Sequence, residues 1–259
     1  MFKESETQKD NAECILHLIE TCTRLIKKYG YPDNDTRTAS LVNVRFVSYS
    51  SLGISNLLNS WSIGDDLIRT TIPQLLGLDK VDDTAVQLMG DSLNKTSKLS
   101  LILLSQFQIE NCIANICNAL GVESTGIGFY NKADALLSHC GFGQDKLDVL
   151  NTGAQIRNSL HSNGIHHGYR GNNFHSELEG VEYEFIDGQK VSCASYPHIA
   201  HSLECSVEIL DDIFSAREVK SHTSLIPDTY ASIIGLGMDS EEDCRETTAS
   251  ECGSSASIK

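Results

Sequence analysis

The feature that most constrains the fold is a long stretch with helical periodicity at residues 84–120. Its large apolar side chains recur at helical spacing around a wide part of the circumference: Leu99, Leu103, Phe107, Ile109, Ile113, Ile116 and Leu120. An apolar surface of this width is typical of a helix that is contacted on more than one side. We therefore predict one central helix, with Asp83 or Thr84 as its N-cap and Gly121 at its end.

Other amphipathic segments predict that the whole fold is mainly α, a helical bundle. Residues 12–29 carry apolar side chains at the i, i+3, i+4 and i+7 positions, and Gly30 and Pro32 follow them. Further helices are predicted at 132–140, 144–162 and 196–218, a shorter one at 64–77, and one with a less regular pattern at 38–60.

One β-hairpin is predicted before the last helix, near residues 181–193. The sequence alternates between apolar and polar residues around Asp187-Gly188, a dipeptide that favours a two-residue turn. The residues between the helix at 144–162 and this hairpin are interpreted as a polar loop.

The chain of 259 residues has room for one large domain with additions. We predict an N-terminal helical extension of unknown role at 1–80 and a helical domain at 81–222. Residues 223–259 are acidic and serine-rich and contain few large apolar side chains, so a disordered tail is predicted there.

Charge and composition narrow the functional classes. The net charge of -15 argues against a protein that coats DNA generally, because neutralising phosphates needs clustered Lys and Arg. The longest apolar run, Leu101–Leu104, is too short to span a bilayer, and the N-terminus lacks the apolar region of a secretory signal. Nine cysteines, several at apolar helical positions, indicate reduced thiols. These features predict a soluble cytoplasmic protein that does not contact membranes.

The residues best suited to chemistry lie at the end of the helix at 144–162. Arg157 and His161 are four residues apart and therefore share a helix face, and Asn158 lies beside them. Arginine offers forked donors to a phosphate, and histidine moves protons near neutral pH. We therefore predict Arg157, His161 and Asn158 as catalytic residues acting on a phosphodiester.

The segment RNSLHSNG, on a late helix followed by a hairpin and a closing helix, resembles the HEPN superfamily (higher eukaryotes and prokaryotes nucleotide-binding) over about residues 85–218. The family signature is an arginine, often followed by asparagine, and then a histidine. The resemblance implies a HEPN-like helical bundle that acts as a metal-independent endoribonuclease without a cofactor. It also implies a homodimer, RNA as the substrate, and an antitoxin or another defence-system protein as a partner. The alternative is a non-catalytic HEPN-like module that binds a nucleotide, RNA or protein.

The spacing departs from the family pattern, because three residues separate Arg157 from His161 where the family has four to six. Either His161 serves in a shorter variant or the pair is degenerate. HEPN-like proteins often place a polar residue of another helix near the motif, so Glu110 either orients Arg157 or faces solvent. Six of the nine histidines lie between 161 and 201. Among them, His166 and His167 are predicted to bind substrate together with Arg170 and with Glu110 of the central helix.

The histidine-rich region also contains a possible metal-binding set. Cys193, His198, His201 and Cys205 lie within 13 residues. Three of these ligands share one helix and spread over about 10 Å, which one tetrahedral ion does not bridge easily. No metal is therefore expected. The Gly-x-Gly after Gly121 is not preceded by a strand and is not interpreted as a dinucleotide-binding loop.

Overall fold

The computed structural model describes residues 5–62, 82–126 and 128–229. The helices in these ranges are α1 Ser5–Tyr29, α2 Thr36–Ser62, α3 Asp83–Leu120, α4 Phe129–His139, α5 Gln144–His161, α6 Tyr196–Ser215 and α7 Arg217–Lys220. The strands are β1 Phe174–Leu178 and β2 Val181–Phe185. The predicted mainly helical fold with one small hairpin before the last helices is confirmed. The predicted helix at 64–77 and the predicted boundary at residue 80 lie outside the described residues.

Helix α3 is the central helix, and it contacts α2, α4, α5 and α6. Its 38 residues begin after Asp82, whose side chain accepts a hydrogen bond from the backbone N–H of Ala85 at 2.7 Å. The N-cap therefore lies one residue before the predicted position. The helix ends at Gly121, which has a φ of 65° as a left-handed cap requires.

Helices α1 and α2 pack into the same core as the later helices. Helix α1 contacts α2 and α6, and α2 also contacts α3. The apolar stripe of α1 is fully buried at Ile15, Leu18 and Leu25. The described part of the predicted N-terminal extension is therefore built into the bundle, within one compact unit that ends at Asp228.

The hairpin lies earlier in the chain than predicted. Strand β1 pairs antiparallel with β2, and Leu178 lies opposite Val181 across the turn residues Glu179 and Gly180. These two residues have φ values of 49° and 84°, and positive φ at both central positions is what a type I′ turn requires. The Asp187-Gly188 turn does form, but the residues after it pair with the segment after α5, through a bridge between Ile165 and Lys190.

The segment just after α7 also differs from the prediction, because residues 223–228 are bound to the start of α2. Ile226 is 2% exposed, and its backbone N–H donates to Asp35 Oδ2 at 3.1 Å. Its carbonyl accepts from the N–H of Thr36 at 2.7 Å. The apolar anchor at Ile226 explains why this part of the predicted tail follows a defined course.

The described cysteines are free thiols, and most are buried. Burial raises the pKa of Cys22 and Cys112 to about 12, so these side chains remain protonated and pack as small apolar groups. Within the described residues, no helix has both the length and the apolarity that a membrane span needs.

Candidate functional site

Arg157 lies on the face of α5 that points towards α3, where it forms an ion pair with Glu110. Its Nη1 donates to Glu110 Oε1, and the two side chains are only 22% and 20% exposed. Its Nε donates to Asn158 Oδ1 at 3.2 Å. The guanidinium is therefore held from two sides, and among the described residues its Nη2 makes no hydrogen bond. The contact matches the alternative given for Glu110 from the sequence in which it lies near Arg157, rather than the one in which it faces solvent.

Two further residues, Gln106 and Gly153, support this ion pair. Gln106 is buried one turn before Glu110 and donates from Nε2 to Glu110 Oε1 at 3.4 Å. Gly153 on α5 makes room for that amide, because a Cβ at this position would lie 2.5 Å from Gln106 Oε1. A glycine one turn before Arg157 does not by itself reveal this contact in the sequence. Only the packing of α5 against α3 shows that it makes room for Gln106.

His161 is the last residue of α5, and it is exposed. It follows Arg157 by one helical turn, a spacing at which Cβ atoms lie about 5–6 Å apart. The chain then leaves the helix through Asn163 and Gly164, which have φ values of 56° and 81°. This Asn-Gly stop is the one that the sequence predicts, and it places the imidazole at the helix end beside the following loop.

The loop after α5 separates the predicted substrate-binding residues. His167 and Arg170 are exposed. His166 is 1% exposed, its ring packs on Phe185 with the ring centroids 5.4 Å apart, and its Nδ1 lies 3.4 Å from Ser159 Oγ. His166 is therefore a core residue and does not offer its ring to a substrate. Its Nε2 has no hydrogen-bond partner among the described residues.

The exposed part of this loop carries one aromatic ring and one cation. Tyr169 is 77% exposed, and the Arg170 guanidinium carbon lies 5.0 Å from the centre of its ring. Asp187 anchors the loop by accepting from the N–H of Gly168 at 2.8 Å. A side chain at Gly168 would clash with the carbonyl oxygen of Asn172, 1.8 Å from the Cβ position. From the sequence, Asp187 is only a turn residue. Its loop partner Gly168 lies 19 residues away in the chain, so sequence spacing does not show the contact.

The later histidines, His198 and His201, lie on α6 beside the hairpin. His198 is half-buried, and its Nδ1 lies 2.7 Å from Ser195 Oγ at the start of α6. Burial, together with the nearby His201, lowers the pKa of His198. His201 bonds to Tyr183 on the hairpin. The histidine-rich sequence therefore splits into an exposed group near the end of α5 and a second group between α6 and the hairpin.

Comparisons of this chain with models of protein families, with curated proteins and with solved structures found no match.

Proposed function

We propose that this chain is a metal-independent endoribonuclease of the HEPN type that acts in a toxin–antitoxin or phage-defence system. The observation that carries the proposal is the arrangement at the end of α5. Arg157 is held by Glu110 and Asn158, and the exposed His161 lies one helical turn further along. An oriented guanidinium beside an accessible imidazole provides the two groups that metal-free cleavage of a phosphodiester uses.

In the proposed reaction, the ribose 2′-oxygen attacks the adjacent phosphorus and the bond from phosphorus to the 5′-oxygen breaks. The products are a 2′,3′-cyclic phosphate and a free 5′-hydroxyl. A base removes the 2′-hydroxyl proton, and an acid gives a proton to the leaving 5′-oxygen. His161 fills one of these roles, and the Nη2 group of Arg157 stabilises the charge on the phosphoryl oxygens.

We propose a homodimer in which two copies of the α5 terminus face each other across a two-fold axis. Such a dimer supplies two copies of His161, one as the base and one as the acid. The exposed Arg170 and Tyr169 are suited to bind the RNA beside the site, since a cation attracts phosphate and an aromatic ring stacks on bases. His167 joins them, and His166 is excluded because it is buried.

The second candidate is a binding module of the same fold without catalysis. The observation that favours it is the ion pair itself, because Glu110 already occupies one edge of the Arg157 guanidinium. The net charge of -15 also limits how much RNA backbone the chain attracts.

The test is single-turnover cleavage of end-labelled RNA, in the presence of EDTA, by the wild type and by Arg157→Ala and His161→Ala. Each variant is expected to lose at least about 100-fold in rate, the usual contribution of a general acid or base. Arg217→Ala and His139→Ala are matched controls, because both residues are exposed on other helices and His139 also ends its helix.

Three results lead to different conclusions. RNA binding without cleavage by the wild type favours the binding module. Wild-type rates in either Arg157→Ala or His161→Ala contradict the assigned roles. If the wild type neither binds nor cleaves RNA, the proposed function is overturned.

A further inference from the structure

A second cluster of reactive side chains lies between the hairpin turn and α6. It consists of Glu179 in the turn and of His201 and Cys205, one helical turn apart on α6. One ligand atom from each residue lies within 4.8 Å of the others. The Nε2 atom of His201 is 3.7 Å from Glu179 Oε2 and 3.7 Å from Cys205 Sγ. None of these residues belongs to the proposed ribonuclease site.

Tyr183 orients the imidazole of His201. Its hydroxyl oxygen lies 3.0 Å from the carbonyl oxygen of His198 and 3.0 Å from Nδ1 of His201. A carbonyl only accepts, so the single hydroxyl proton of Tyr183 goes to His198 and the hydroxyl oxygen accepts from Nδ1–H of His201. This arrangement places the proton on Nδ1 and leaves the lone pair of Nε2 directed at the cluster. Fixing of this kind is typical of histidines that bind a metal.

Two of the three separations between the ligand atoms are close to those around a tetrahedral ion, and the third pair lies within 4.8 Å. Zinc binds imidazole nitrogen, thiolate sulfur and carboxylate oxygen at bond lengths of about 2.0 to 2.3 Å, so pairs of its ligands lie about 3.4 to 3.6 Å apart. The two measured separations of 3.7 Å are close to this range. Without a cation or a proton between them, the Nε2 lone pair and the Glu179 carboxylate would face each other as two acceptors.

We propose that Glu179, His201 and Cys205 form a site for a borderline-soft divalent metal of the zinc class. A set of one nitrogen, one sulfur and one oxygen ligand suits zinc or cobalt and does not suit magnesium or calcium. Water would fill the fourth position, since the Glu179 side chain is 80% exposed. The ion links the hairpin turn to α6. The proposal goes beyond the ribonuclease function and does not depend on it.

The ligand set differs from the one weighed in the sequence. His201 and Cys205 were both in that set, and the spread of three ligands along a helix argued against a site. In the structure, Cys193 Sγ lies 3.9 Å from the carbonyl oxygen of Glu184, and His198 bonds to Ser195. The third ligand is Glu179, which a positive-φ turn brings over α6 from 22 residues before His201.

The experiment is a titration of the reduced, metal-free full chain with Co²⁺, followed by competition with Zn²⁺. We expect one equivalent of Co²⁺ to give the charge-transfer absorption of a cobalt–thiolate bond and the visible bands of a tetrahedral site. Zinc, but not Mg²⁺, is expected to remove these bands. Cys205→Ser should lose the thiolate band, and Glu179→Gln should weaken Co²⁺ binding at least tenfold.

Matched variants distinguish metal binding at this site from metal binding elsewhere in the chain. Glu177→Gln changes another exposed carboxylate of the same hairpin, and Cys140→Ser removes a partly exposed thiol elsewhere. Both are expected to bind Co²⁺ as the wild type does. Tyr183→Phe keeps the ring but loses the hydroxyl, and it should weaken binding about 10- to 100-fold, as loss of an outer-shell partner does.

The proposal is overturned if the wild type shows no cobalt–thiolate band, or if the band survives in Cys205→Ser. Equal Co²⁺ affinity in Glu179→Gln and Glu177→Gln also overturns it. Glu179 is exposed, so Glu179→Gln is expected to fold even if Cys205→Ser does not. An uptake of Zn²⁺ that all variants share indicates binding elsewhere in the chain and contradicts the proposal.

Discussion

Two arginine–carboxylate pairs in this molecule share the same chemistry but lie in different surroundings. Arg37 pairs with Asp35 at the start of α2, where the two side chains are 1% and 0% exposed. Arg157 pairs with Glu110 between α5 and α3, where about a fifth of each side chain remains exposed. The first pair is sealed inside the protein, and the second is open on one side.

The buried pair is surrounded by further hydrogen bonds. Asp35 accepts from Arg37 Nε at 2.8 Å, from Arg37 Nη2 at 2.6 Å and from the Ile226 N–H at 3.1 Å. Arg37 also donates to the carbonyls of His222 at 3.3 Å and Ser224 at 3.4 Å, and it stacks on Tyr31. Its donors are therefore used within the protein, and this pair holds the segment after α7 against α2.

The difference shows how burial separates a structural ion pair from one that remains available to a ligand. Arg157 keeps a free edge and a neighbouring exposed imidazole, whereas the donors of Arg37 face backbone carbonyls and a carboxylate. About a fifth of the Arg157 side chain contacts solvent, whereas almost none of the Arg37 side chain does. Substitutions at the two pairs should therefore affect stability to very different degrees.

The largest effect is expected from Asp35→Asn. The change leaves the Arg37 charge buried without its partner, and breaking a buried pair in this way costs about 3–5 kcal/mol. The free energy of unfolding in urea measures the loss. Asp33→Asn removes an exposed carboxylate two residues away and should change stability little. A loss below about 1 kcal/mol in Asp35→Asn would place this pair with surface ion pairs.

The second prediction concerns how the stability that Asp35 provides depends on pH. Burial alone would raise the pKa of Asp35, but the hydrogen bonds from Arg37 and from backbone N–H groups hold it below its ordinary value. A pKa that folding lowers adds stability above the unfolded value of about 3.9, and this stability is lost as the pH falls through the folded value. The stability gap between the wild type and Asp35→Asn should therefore narrow below about pH 4. Urea unfolding at several pH values tests this, and a constant gap would contradict it.

A smaller effect is expected from Arg157→Ala. Glu110 stays partly exposed and keeps its hydrogen bond from Gln106 when its partner is removed, so the loss should lie between those of a surface pair and a buried pair, about 1–3 kcal/mol. Urea unfolding of this variant beside Arg217→Ala measures the difference. A loss as large as that of Asp35→Asn would show that Arg157 is a structural residue, and it would remove the reason for treating the pair as part of a binding site.

The smallest effect is expected from His161→Ala. The side chain is exposed at the end of α5, and substitutions at such positions usually change stability by less than about 0.5 kcal/mol. Thermal unfolding compared with His139→Ala, at the end of α4, is the measurement. If His161→Ala lowers the melting temperature by several degrees while His139→Ala does not, the ring packs against the protein and is not free to act on a substrate.

The helices could be read from the sequence, because their apolar residues repeat at helical spacing and local residues end them. The central helix, its glycine end at Gly121 and the Asn-Gly stop after α5 follow from neighbours within a few residues. The four-residue spacing of Arg157 and His161 is also local, and it places both on one helix face before any packing is considered.

The contacts between residues far apart in the chain, by contrast, follow only from how the helices pack. Glu110 lies 47 residues from Arg157, and Ile226 lies 191 residues from Asp35. The Asp187-Gly188 turn forms as expected, but the strand that pairs with Val181–Phe185 is Phe174–Leu178, which comes before it in the chain and contacts α5. Local periodicity contains no information on such pairings, since they depend on how whole helices pack. For the same reason, the sequence did not distinguish the buried His166 from the exposed His167.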